Sequence, residues 1–192
     1  ELADGSWIYL NNKGVAVTGE QIINGQTLYF GNDGRQFKGT THINATGESR
    51  YYDPDSGNMI TDRFERVGDN QWAYFGYDGV AVTGDRIIKG QKLYFNQNGI
   101  QMKGHLRLEN GIMRYYDADT GELVRNRFVL LSDGSWVYFG QDGVPVTGVQ
   151  VINGQTLYFD ADGRQVKGQQ RVIGNQRYWM DKDNGEMKKI TY

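Results

Sequence analysis

Asn24-Gly25-Gln26-Thr27-Leu28-Tyr29-Phe30-Gly31-Asn32-Asp33-Gly34-Arg35-Gln36-Phe37-Lys38-Gly39 is the stretch on which the fold is decided. An Asn-Gly or Asp-Gly step between alternating apolar and polar residues is the strongest local signal of a β-hairpin. Counting from a two-residue turn at Asp33-Gly34 sets Phe30 opposite Phe37 and Tyr29 opposite Lys38. The Phe pair then lies on one face and the Tyr–Lys pair on the other.

The stretch recurs. Gly90–Gly104 and Gly154–Gly168 repeat it, and Trp7–Gly19, Trp72–Gly84 and Trp136–Gly148 are a related unit. A third unit begins Arg50-Tyr51-Tyr52-Asp53 and returns at Arg114–Phe128, with a degenerate copy from Arg177-Tyr178-Trp179. The period is about 64 residues, giving superrepeats of about 1–65, 66–129 and 130–192 in a single repeat domain. The same count pairs Phe75 with Val82, Phe95 with Met102, Phe139 with Val146 and Phe159 with Val166, all apolar. In the third unit a three-residue loop sets Tyr52 opposite Ile60 and Tyr116 opposite Val124. A lone hairpin is marginal in water, so each must be covered by the next. The expected fold is all-β, a β-solenoid of about nine stacked hairpins, with further tight turns at Asn24-Gly25, Asn110-Gly111 and Asn153-Gly154. The pattern runs through both ends, so the chain is expected to be a fragment of a larger protein.

Composition agrees. There are 27 Gly and 2 Pro in 192 residues, aromatics reach 13%, and hydrophobic residues total only 38%. That suits many short strands with Gly-rich turns better than one large core. Net charge is -2, with no basic stripe, which argues against nucleic acid and against a polybasic membrane signal. No apolar run is long enough to cross a bilayer, so no membrane insertion is expected. Without cysteine, neither disulfides nor thiolate metal sites arise.

Beside each outward Tyr the count places a polar set. It comprises Gln36 and Lys38 near Tyr29, Gln101 and Lys103 near Tyr94, and Gln165 and Lys167 near Tyr158. In the Trp-led units the Lys place holds Thr18, Thr83 and Thr147. An aromatic plate beside amide, ammonium and hydroxyl groups suits a neutral sugar. The alternative is that each Tyr packs against the next hairpin. The Gln-x-Lys set favours the ligand reading, since core packing has no evident use for it. Trp7, Trp72 and Trp136 are either sugar plates or caps over the joints, the joint being favoured. His42 and His105 read as equivalent positions of two repeats, and no acid–base carboxylate pair for glycoside hydrolysis is visible. Asp53-x-Asp55-x-Gly57 and Asp117-x-Asp119-x-Gly121 read as turns rather than calcium loops, lacking the bidentate Glu.

These phrases resemble the YG or A-type repeats in the glucan-binding domains of glucansucrases, glycoside hydrolase family 70, along essentially the whole chain. The resemblance implies a secreted, non-catalytic module, possessed of no cofactor, monomeric, and set beside the catalytic domain of its parent enzyme. Its ligand would be α-glucan of the dextran type or an isomalto-oligosaccharide. It implicates Tyr29, Gln36, Lys38, Tyr94, Gln101, Lys103, Tyr158, Gln165 and Lys167, flanked by Thr18, Thr83, Thr147, Tyr51 and Tyr115. Choline-binding repeats are relatives with similar hairpins. They carry a Gly-Trp step where this chain has Gly19-Glu20, Gly84-Asp85 and Gly148-Val149, so the cage for a quaternary ammonium is not built. Attachment to a cell wall or to choline, or a structural spacer role, is the rival expectation.

Overall fold

The computed structural model describes residues 1–191, apart from the Glu109 side chain. Among these residues there are strands and turns and no helix. The chain divides into two compact units, Glu1–Met102 and Lys103 onward. The first holds four antiparallel hairpins. They are β1 (Gly19–Ile23) with β2 (Gln26–Phe30), β3 (Thr40–Ile43) with β4 (Ser49–Tyr52), β5 (Arg63–Gly68) with β6 (Gln71–Phe75), and β7 (Gly84–Ile88) with β8 (Gln91–Phe95). In the second, β9 (His105–Glu109) pairs with β10 (Ile112–Tyr116), β11 (Arg127–Leu130) with β12 (Trp136–Phe139), and β13 (Gly148–Ile152) with β14 (Gln155–Phe159). A three-stranded sheet follows, β15 (Gln169–Ile173), β16 (Gln176–Met180) and β17 (Met187–Lys189).

The long ladders run across the Asn-Gly steps. Asn24 and Gly25 both have positive φ, 51° and 78°, the geometry whose twist matches that of the paired strands. Gly19 therefore faces Phe30, and Ile23 faces Gln26. Asn153-Gly154 makes the same turn, and Lys89-Gly90 makes it with a lysine in the left-handed position.

The Asp-Gly steps differ from the sequence count by one residue. Gly34 has a positive φ of 77° but Asp33 does not, so a two-residue turn of the Asn-Gly type is not formed. Instead the Gly31 N–H donates to the Arg35 carbonyl at 2.8 Å, closing a three-residue loop. Asp33 accepts the Arg35 N–H on its side chain, which holds the bend. Phe30 then faces Gln36, and the Phe37 N–H donates to the Tyr29 carbonyl. The shift recurs: Phe75 faces Ala81, Phe95 faces Gln101, Phe139 faces Pro145, Phe159 faces Gln165, and Tyr52 and Tyr116 face Met59 and Leu123. Such a slip changes the partner of every side chain beyond the turn.

The core column is the expected one. Phe30, Phe75, Phe95, Phe139 and Phe159 are at most 2% exposed, joined by Tyr52 and Tyr116. Stacking explains why single hairpins suffice. The N–H of Gln36 donates to the carbonyl of Trp7, Met59 to Thr27, Ala81 to Ser49 and Gln165 to Trp136, at 2.7–2.8 Å. Each segment after an Asp-Gly turn thus bonds both its own strand and the hairpin before it. The turns also nest: a Cβ on Gly34 would lie 2.9 Å from the Ala16 Cβ, and on Gly163 2.4 Å from the Pro145 Cβ. Each unit is a β-solenoid of stacked hairpins.

Candidate functional site

The shifted register relocates the Gln-x-Lys set. Lys38 Nζ donates to the Asp55 carbonyl at 2.8 Å, and Gln36 Nε2 to the Ser56 carbonyl at 3.3 Å. In the second unit Lys103 Nζ donates to Asp119 O, Lys167 Nζ to Asp183 O and Gln165 Nε2 to Asn184 O, at 2.9–3.0 Å. The pair clamps the turn of the following hairpin, whose carbonyls point away from any ladder and need donors. Packing does therefore use it, contrary to the sequence argument. Gly57 and Gly185 make the room, since a Cβ on either would lie 2.1 or 2.4 Å from the clamping amide nitrogen. Gln101 is buried.

The clamped turns are built on aspartates. Asp53 accepts the backbone N–H groups of Asp55 and Ser56, and Asp117 those of Asp119 and Thr120. The Thr120 N–H, and then the Arg127 guanidinium at 2.6 Å, hold the Asp117 carboxyl well below the usual carboxylate range. Among the described residues no group of His, Cys, Asp or Glu is placed to hold a metal.

The tyrosines sit on the other side of the strand from Gln and Lys. Tyr29 meets Phe37 edge-on at 5.0 Å and stacks on His42 at 3.9 Å. Its cross-strand neighbour is Glu20, and those of Tyr94 and Tyr158 are Asp85 and Val149. All three tyrosines are half-buried. Tyr51 is only 7% exposed and stacks on Phe75, so its ring offers no face to a ligand; burial also pushes its phenol up. Tyr115 is half-buried against Phe139 and the core around Val137. Thr18, Thr83 and Thr147 are exposed. The histidines are not equivalent: His42 pairs with Arg50, whereas His105 pairs with Tyr116 and so matches Thr40.

What converges with the lysine is tryptophan. Lys38 Nζ lies 5.2 Å from the centroid of Trp7, and Lys167 Nζ 5.7 Å from that of Trp136. These rings are 45% and 36% exposed, and Trp72 is 37% exposed. Trp7 and Trp136 are thus partly open plates, each with an ammonium group over its ring and its backbone carbonyl accepting the N–H of Gln36 or Gln165. Trp136 also meets Phe128 edge-on, as a joint cap would. Sequence parity counted from the wrong turn hid this grouping; counting from the three-residue loop reveals it.

A family model for the choline-binding repeat matches residues 17–64, 82–128 and 146–192. Glucosyltransferase-S of Streptococcus mutans serotype c is 48% identical over 152 residues, 79% of this chain and 10% of that protein. Glucosyltransferase-I of Streptococcus downei is 48% identical over 144 residues, 74% of this chain and 9% of that protein. The chain therefore spans about a tenth of the length of these curated relatives. Choline binding protein F of Streptococcus pneumoniae has a similar fold, with a TM-score of 0.65 at 24% identity over 94% of this chain and 60% of that one. The autolysin LytC of the same species, solved with a synthetic peptidoglycan ligand, gives 0.67 at 17% identity over 95% and 46%.

Proposed function

The chain belongs to the choline-binding repeat family, in a form similar to repeats of streptococcal glucosyltransferases, and on that premise we propose that it is a non-catalytic carbohydrate-binding module for α-glucan of the dextran type. The observation that carries this is the exposed Trp with Lys and Gln at one register, in Trp7–Gln36–Lys38 and again in Trp136–Gln165–Lys167. A pyranose lays its C–H face on an indole while hydroxyls meet donors at the rim. Lysine has three N–H donors, of which the turn carbonyl takes one, so the clamp leaves donors for a ligand. The exposed Thr18, Thr83 and Thr147, the open edges of Tyr29, Tyr94 and Tyr158, and the Gln101–Lys103 pair are the flanking contacts of this reading. Tyr51 is not among them, and Tyr115 contributes at most an edge.

Each site is weak alone. Several along one polymer raise effective concentration, and avidity grows without new contacts. The module then tethers a secreted glucosyltransferase to its own polymer through the neighbouring catalytic domain. Native electrophoresis with dextran in the gel tests this: the protein is retarded, and Trp7→Ala/Trp72→Ala/Trp136→Ala abolishes retardation while folding normally. Retention on choline resin without retardation by dextran would overturn the reading. Glu20, Asp85 and Val149 argue against that outcome, because the ladder positions across from Tyr29, Tyr94 and Tyr158 hold no tryptophan for a quaternary-ammonium cage.

A further inference from the structure

Met59 and Leu123 occupy the same position in the two units, each across from the buried tyrosine of its hairpin, Tyr52 or Tyr116. Both side chains lie flat on the glycine of the following Asp-Gly turn. A Cβ on Gly79 would sit 2.5 Å from the Met59 Sδ, 2.7 Å from its Cε and 2.9 Å from its Cγ. A Cβ on Gly143 would sit 2.8–3.2 Å from the Cγ and the two methyl carbons of Leu123. The residue is thus a wedge in the joint between one hairpin and the Trp-led hairpin stacked on it. In the first unit the Ala81 N–H ties the same joint, donating to the Ser49 carbonyl at 2.8 Å. On its other side the Met59 N–H donates to the Thr27 carbonyl, so the wedge belongs to a stack of three hairpins.

The two wedges differ in chemistry and in access. Leu123 is 4% exposed and has no atom that an oxidant attacks readily. Met59 is half-buried and borders a cleft of about 210 Å³ with Asp53, Ser56, Asn58, Thr61 and Arg63. That polar lining admits water and water-sized neutral solutes to the thioether. Of the other four methionines, Met180 is fully buried and Met102, Met113 and Met187 are half-buried. A thioether packs as an apolar group until it is oxidised, whereas the sulfoxide is larger, polar and chiral. With Sδ, Cε and Cγ already against Gly79, the turn side has no room for an added oxygen.

We infer that Met59 is a modification site for peroxide, and that its oxidation loosens the joint beneath the Trp72 hairpin while the Leu123 joint stays closed. A sulfur lone pair attacks one oxygen of hydrogen peroxide, the O–O bond breaks and an S–O bond forms. Sulfur is oxidised by two electrons and the peroxide is reduced. The departing hydroxide takes the proton from the transferred oxygen and leaves as water. Methionine sulfoxide reductase reverses the change. Stacking in the first unit therefore responds to oxidants, and stacking at the matched joint of the second does not. The inference holds whichever polymer the module binds.

The test treats the whole chain with hydrogen peroxide, maps oxygen uptake at each methionine by peptide mass spectrometry, and follows amide hydrogen exchange. Met59 should take up oxygen at least tenfold faster than Met180. The Gly79 and Ala81 amides should then exchange at least tenfold faster, with Gly143 unchanged, and reductase treatment should restore them. Met59→Leu installs the residue that the matched joint already uses. It should fold as the wild type does and lose the peroxide response at Gly79 and Ala81. Uptake at Met59 no faster than at Met180 would overturn the site. Oxygen on Met59 with unchanged exchange at Gly79 and Ala81 would overturn its role in the joint. A response that survives in Met59→Leu would assign the loosening to another methionine and overturn the inference.

Discussion

Replacing Lys38 by Met separates a clamp from a ligand contact. The change keeps most of the aliphatic stem and removes the ammonium. Lost with it are the 2.8 Å bond to the Asp55 carbonyl and the position 5.2 Å over Trp7. A hydrogen bond from a charged donor contributes about 1.5–3 kcal/mol when well enclosed. Lys38 is only half-buried, so a value of about 1–1.5 kcal/mol is appropriate. The cation over a partly exposed indole adds about 0.5–1 kcal/mol. The sum is about 2 kcal/mol, which for a chain of this size lowers Tm by about 4–8 °C. Lys13→Met, at an exposed lysine, is the control and should stay within about 0.5 kcal/mol. Thermal and urea unfolding read the stability, and dextran retardation well below Tm reads the ligand role. If Lys38→Met melts with the wild type yet loses retardation, the turn bond has no energetic content and the clamp argument is wrong. If it loses stability and keeps retardation, the Trp7 site does not use the ammonium.

Three further outcomes follow from burial, charge and turn geometry. Tyr52 is fully buried, its hydroxyl has no hydrogen-bond partner among the described residues, and burial pushes the phenol up to about 12. Tyr52→Phe should therefore gain about 1 kcal/mol in urea unfolding at neutral pH. Because the folded value lies above the ordinary 10, the unfolded chain ionises first. Wild-type stability should fall between about pH 10 and pH 12, more steeply than that of the Phe variant. Asp117 has the opposite sign: its folded value is depressed, so its contribution is present above the ordinary carboxylate range and fades as pH falls below it. The stability gap between wild type and Asp117→Asn should narrow as titration proceeds from about pH 5 to about pH 2, and a constant gap would refute this. Gly163→Ala should cost more than Gly154→Ala, although both have φ near +80°. A Cβ at Gly154 meets nothing within 4 Å, whereas at Gly163 it meets Pro145, so strain alone, about 1 kcal/mol, applies only to the former. Equal losses would refute the nested-turn packing.

The all-β class, the stacked hairpins and the buried Phe column are legible in the sequence because they rest on local chemistry. Asn24-Gly25 can take two positive φ values in succession, and an alternating run beside it can only put one set of side chains inward. The site was less legible for one local reason and one that is not local. Locally, Asp33 keeps a negative φ and braces Arg35, adding one residue to the loop and turning Lys38 from the Tyr29 side to the Trp7 side. That rule is available in sequence once the two kinds of turn are told apart.

The second reason is stacking. Nothing near Gln36 in the chain indicates that its amide will meet the Ser56 carbonyl, or that Gly57 is Gly because that amide fills the space of a Cβ. By itself the sequence determined the hairpins, their number and their buried face, since φ preference and alternation act within a few residues. Only the tertiary structure decided which polar groups clamp a neighbouring turn and which stay free for a ligand, because that depends on what the next hairpin brings to the same place.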